Sequence, residues 1–132
     1  MTTELTLLAW TVVLALVQIG LASVLRTRDY GMQWNAGPRD EAMPPVGKLT
    51  GRLVRAQENM FETLPLFIAV VLIAHAAGRE GRLTALGAEL YFWARVVYLP
   101  LYAFGVPYVR SLAWVASLVG LLMILAAVLG AA

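Results

Sequence analysis

Four long apolar blocks, separated by short polar stretches, account for most of the chain. They run over about 4–26, 49–77, 82–104 and 109–130, each long enough for a helix to cross a bilayer. Between the first two lies the connection TRDYGMQWNAGPRDEAMPPVGK, residues 27–48, where Gly31, Gly37, Pro38, Pro44, Pro45 and Gly47 interrupt any periodicity and predict a loop. AAGREG and the Gly105–Pro107 pair mark two tighter turns. Pro65 and Pro100 lie inside apolar blocks and predict local kinks. The pattern therefore predicts an all-α membrane protein, a four-transmembrane-helix bundle forming one domain over residues 1–132. The first block has no basic segment before it and exceeds the roughly 7–15 apolar residues of a signal peptide core. An uncleaved spanning helix is expected there.

Composition agrees with this pattern and narrows the chemistry. Hydrophobic residues make up 61% and charged residues 14% of the chain, against roughly 25% charged in soluble domains. With no cysteine, disulfides, thiolate metal sites and a cysteine nucleophile are excluded. His75 is the single histidine, with no second ligand near it in sequence, so no metal site is expected. No basic stripe of the kind that binds nucleic acid is present.

The polar residues inside the blocks are ordered. In the second block Arg52, Arg55, Asn59 and Glu62 recur at i, i+3, i+7 and i+10, one face of a helix. In the third, Arg95, Tyr98 and Tyr102 recur at i, i+3 and i+7. Charged groups at membrane depth cost roughly 2.5–3.5 kcal/mol each, so they face a protein interior or a wet cavity. Such a ladder suits a small zwitterionic or anionic ligand; it also suits an interhelical polar network that only holds the bundle together. Tyrosine pairs at this spacing are more often packing or interfacial groups, but Arg95 on the same stripe shifts the balance toward hydrogen-bond donors beside a guanidinium.

Charge distribution orients the bundle. Arg26, Arg28, Arg39 and Lys48, followed by Arg52, Arg55 and the later Arg110, all fall on one side, whereas the other side has Arg79 and Arg82. The positive-inside rule then expects the first and third connections in the cytoplasm and both termini outside. Both polar stripes fall toward the cytoplasmic half.

Two of these stretches are familiar as motifs. RLVRAQENMFETLPLF, Arg52 to Phe67, resembles the second-helix signature of the MAPEG family, the membrane-associated proteins in eicosanoid and glutathione metabolism. ARVVYLPLY, Ala94 to Tyr102, is similar to that family's third-helix pattern. Chain length, helix order and the long first connection agree along essentially the whole sequence. The resemblance implies a homotrimer with glutathione between neighbouring subunits near the cytoplasmic face. It implies glutathione contacts at Arg55, Asn59, Glu62, Arg95, Tyr98 and Tyr102, with Gln57 reaching across the subunit boundary. Arg26 or Arg28 corresponds to an arginine at the first helix end, and Arg28 is carried as a site residue. Near the thiol-activating arginine of the leukotriene-forming branch stands Val109, with Arg110 beside it; Arg110 is the catalytic candidate. Thr63 occupies a position that is aromatic in some eicosanoid-forming members.

The resemblance thus implies a membrane glutathione transferase of bacterial type in the inner membrane, with the termini periplasmic and the site facing the cytoplasm. Glutathione would be its cosubstrate, without a metal, and the second substrate a lipophilic electrophile arriving through membrane lipid; peroxidase turnover is a further activity open to the same thiolate. The alternative is a non-catalytic membrane protein that binds a lipid or thiol, or a scaffold.

Overall fold

The computed structural model describes residues 1–130; the last two residues of the expected domain lie outside the described residues. The chain forms α1 (Thr3–Tyr30), α2 (Met32–Ala36), α3 (Lys48–Ala76), α4 (Arg82–Ala103) and α5 (Val109–Leu129). The Thr2 hydroxyl accepts from the Leu5 amide at 3.3 Å and caps α1, satisfying one of its free N-terminal donors. That helix continues beyond the expected end near residue 26 because nothing in Arg26–Tyr30 breaks it. It stops at Gly31, whose φ of 95° suits a residue without Cβ.

The connection expected as plain loop also differs. It contains the short α2 and folds back on α1: Asn35 donates to the Thr27 hydroxyl at 3.0 Å, and the Tyr30 and Trp34 rings meet edge to face at 4.8 Å. The Gly47 amide donates to Asp29 at 3.0 Å, bringing the start of α3 to the end of α1. Both α3 and α4 run unbroken through Pro65 and Pro100.

Long-range polar contacts define the directions of the four long helices. Thr84 donates to Glu4 at 2.8 Å and Thr2 donates to Glu80 at 2.8 Å, so the starts of α1 and α4 share one end. Arg79 reaches the Gly130 carbonyl at 2.7 Å, bringing the end of α5 there too. The bundle is therefore up-down-up-down. The other end gathers Tyr30, Lys48, Arg55, Tyr102 and Arg110, as their contacts below show.

Packing is tightest between α4 and α5. A Cβ on Gly120 would stand 2.5 Å from the Gly87 carbonyl oxygen, and a Cβ on Gly87 would stand 2.6 Å from that of Gly120. Only glycine lets the two backbones touch, the small-residue contact that membrane helices use to associate. Phe67 and Tyr91 stack at 4.0 Å in the core, and the Tyr91 hydroxyl meets Thr63 at 2.9 Å. Thr63 is thus a core partner of α4. Gln18 is buried against the Met60 sulfur, its carbonyl oxygen without a protein partner.

Three helices, α1, α3 and α5, are long and apolar enough to cross a membrane. The 22-residue α4 carries Arg82, Glu89 and Arg95. Large apolar side chains including Trp10, Leu16, Val24, Leu112 and Leu122 are exposed along α1 and α5, as lipid-facing surfaces require.

Candidate functional site

The two polar stripes meet where α3 and α4 run side by side. Their antiparallel course brings Asn59, two turns into α3's polar face, opposite Arg95 in mid-α4. Arg95 is 1% exposed, the largest fully buried side chain among the described residues. Its Nη1 donates to the side-chain oxygen Oδ1 of Asn59 at 2.9 Å, and its guanidinium lies over the Tyr98 ring at 4.2 Å. Nε and Nη2 are also buried, and neither has a protein acceptor. No ion pair involves Arg95 among the described residues. A buried cation with one neutral acceptor and an aromatic face is under-compensated, since desolvation costs several kcal/mol per ion.

One helical turn further along α4, the rings of Tyr98 and Tyr102 stand 5.5 Å apart, tilted by 59°. The Tyr102 hydroxyl accepts from Arg55 Nε at 3.2 Å. Arg110, at the start of α5, lies over the face of the same ring at 4.6 Å. The turn between α4 and α5 makes this possible: Gly105 (φ 69°) and Tyr108 (φ 61°) reverse the chain so that α5's first turn faces the last turn of α4. Arg55, Asn59, Arg95, Tyr98, Tyr102 and Arg110 therefore form one continuous constellation of cations, phenols and an amide. It can grip carboxylates and stabilise a thiolate; guanidinium forks and phenol donors suit both tasks.

Three expected residues are not joined to it within the single chain. Glu62 is exposed and makes no ion pair among the described residues. Gln57 is half-buried and does not contact the stripe through a hydrogen bond. Arg28 is exposed and its Nε lies 3.5 Å from Asp29, its own neighbour in sequence.

Arg52 is the rung of the α3 ladder that leaves it. Its Nη1 donates to the Ala103 carbonyl at 3.4 Å, and its guanidinium occupies the space beside Gly105 that a Cβ would fill, 2.7 Å from Cζ. A cation at the α4 C-terminus complements the helix dipole there. A cavity of about 560 Å³ opens beside it, lined by Tyr30, Gly47, Lys48, Arg52 and Arg55 among others. Sequence reading did not single out Lys48 or Tyr30 for this role. The i, i+4, i+7 spacing of Lys48 with Arg52 and Arg55 was the available signal; Tyr30, at the end of α1, shares no such register.

The opposite end carries a second polar group that the sequence did not reveal. Glu4 is 3% exposed and held by Thr84, while His75 meets Glu80 at 3.1 Å. Partial burial pushes the Glu80 carboxyl up, but the hydrogen bonds from Thr2 and His75 act against it and prevail, leaving it below its ordinary value. No group of three or more His, Cys, Asp or Glu residues could hold a metal among the described residues.

No curated protein matches the chain. The sequence model of the MAPEG family matches residues 7–130, which takes in both polar stripes and the four long helices apart from the first turn of α1. This integral membrane protein belongs to the MAPEG family.

Proposed function

We propose that the protein is a membrane glutathione transferase that joins the glutathione thiolate to lipophilic electrophiles. The observation that carries this reading is Arg95: a buried guanidinium with two unpartnered donors and no ion pair among the described residues. An anionic ligand would complete it. Glutathione has two carboxylates, an ammonium and a thiol; the constellation has partners for the carboxylates and the thiolate, and Glu62, exposed beside it on α3, is the partner for the ammonium.

Arg55 and Arg95 take the carboxylates through charge-assisted forks, with Tyr98 and Asn59 as additional partners. Glu62 takes the ammonium. Arg110 stabilises the thiolate, since a neighbouring guanidinium favours the charged form of a thiol. The thiol proton leaves to solvent. The thiolate sulfur then attacks the electrophilic carbon, a C–S bond forms, and the electron pair of the broken bond departs with the leaving group or opened ring. Peroxidase turnover by the same thiolate is a second use of the site.

The exposure of Glu62 and Arg28, and the half-buried Gln57 that does not join the constellation, support a site completed by a neighbouring copy in a homotrimer, with Gln57 acting across the boundary. In this reading α4 makes the fourth membrane crossing, with Arg95 turned inward and Arg82 exposed in its first turn. The basic end, with Arg55 and Arg110, faces the cytoplasm of a bacterial inner membrane, and both termini are periplasmic. The second substrate arrives laterally from the lipid.

The test is thiolate absorbance on adding glutathione to the detergent-purified protein at neutral pH. A rise stoichiometric with bound glutathione is expected. Calorimetric binding without that rise would favour a binding protein in which Arg110 only packs on Tyr102, and the absence of both would remove glutathione from the reading.

A further inference from the structure

The geometry points to a second anion site, distinct from the glutathione constellation, in which Lys48 and Arg52 hold a phosphate group at the interfacial end of the bundle. Lys48, Arg52 and Arg55 present three cations on one face of the first two turns of α3. They line a cavity of about 560 Å³ to which no carboxylate contributes. The nearest acid, Asp29, is already engaged by the Gly47 amide at 3.0 Å and by Arg28 at 3.5 Å.

Two features separate this arrangement from cations that merely mark a membrane boundary. Arg52 is half-buried and held in a defined place by Ala103 and Gly105. Gly51 leaves space beside α3 that Arg55 fills, a Cβ there standing 3.1 Å from Nη1. The first turn of α3 has neither an acidic residue nor a side-chain cap, so its positive dipole end adds to the same field.

The cavity is in the size range of small-molecule sites, roughly 300–1,000 Å³, larger than a bare anion needs. A phosphate carried on a larger group fits it better, and at this end of a membrane bundle that group is the head of an anionic phospholipid. Free phosphate shares the recognition chemistry and is the other source. The site adjoins the glutathione groove at Arg55 but does not depend on glutathione binding.

The experiment follows thermal unfolding of the whole protein in an uncharged detergent. Inorganic phosphate is titrated against chloride at matched ionic strength, and phosphatidic acid is titrated against phosphatidylcholine in mixed micelles. Phosphatidic acid is expected to raise the unfolding temperature saturably, and phosphatidylcholine to leave it unchanged. Lys48→Gln with Arg52→Gln should weaken the apparent affinity about 25-fold, at about fivefold for each cation removed. Arg79→Gln with Arg82→Gln removes the same charge from the opposite end and should leave the affinity unchanged. If the double variant does not fold, Lys48→Gln alone, at an exposed position, should still weaken it about fivefold. A matching response to inorganic phosphate would identify free anion as sufficient; a response to the lipid alone would identify the headgroup. Equal weakening in the two charge-removal pairs, or no saturable response to either probe, overturns the site.

Discussion

Arg110 lies over the ring face of Tyr102 at 4.6 Å, joining the first turn of α5 to the polar stripe of α4. Arg55 holds the hydroxyl of the same tyrosine at 3.2 Å, so one phenol is shared by two guanidiniums from α3 and α5. A cation stacked on a ring keeps its edge donors free for a ligand. Arg110→Ala is expected to leave glutathione binding within a few-fold and to abolish the thiolate signal, with turnover falling on the order of 10²–10³ as when a single stabilising donor is lost. Stopped-flow absorbance and conjugation rates check this; unchanged turnover removes Arg110 from the mechanism.

Arg95 separates ligand binding from stability. Replacing a poorly compensated buried cation with an apolar side chain is often neutral or stabilising. Arg95→Leu should therefore leave the ligand-free unfolding temperature unchanged or higher while removing the upward shift that glutathione produces. A lower ligand-free temperature with the glutathione shift intact would make Arg95 a structural residue.

Glu62 is exposed in the single chain, so its neutralisation should not destabilise the ligand-free protein. Glu62→Gln is expected to reduce the glutathione-induced thermal shift and to leave the ligand-free value within about 0.5 kcal/mol. The comparison is one thermal titration on each protein.

The Gly87–Gly120 contact has no room for a methyl group. Gly120→Ala should force α4 and α5 apart and destabilise by about 1–3 kcal/mol, the ordinary cost of overpacking. Because Tyr102 and Arg110 sit on these two helices, the change should also weaken glutathione binding. Unfolding in denaturant and calorimetry provide the two measurements.

Glu80 sets an acid limit at the other end of the bundle. Its carboxyl is held below its ordinary value, so its stabilising contribution is fully present above that value and is lost as pH falls through the lower, folded one. Thr2→Ala removes one of the two hydrogen bonds responsible. Acid unfolding of that variant should begin at higher pH than in the parent protein, and near neutrality the difference should be that of the lost hydrogen bond to Glu80 and the lost α1 cap. Superimposable acid transitions would show that the Thr2 contact does not act on Glu80.

Helix content, the order of the long apolar segments and each polar stripe were legible in the sequence, because apolar run length and the 3.6-residue period are properties of a chain segment alone. That is why Arg95, Tyr98 and Tyr102 could be grouped before any fold was known, and why the resemblance carried by Arg52 to Phe67 led to the right family. Periodicity does not say what a face meets. Arg52, Arg55, Asn59 and Glu62 share one register, yet Arg52 turns to the end of α4, Arg55 and Asn59 join the α4 stripe, and Glu62 stays exposed. Burial of Glu4 depended on Thr84, 80 residues away. The tertiary structure alone decided these contacts, because they depend on how α3, α4 and α5 are rotated and offset against one another. The Gly87–Gly120 contact and the reversal at Gly105 set that arrangement for α4 and α5, and neither acts within a single helix.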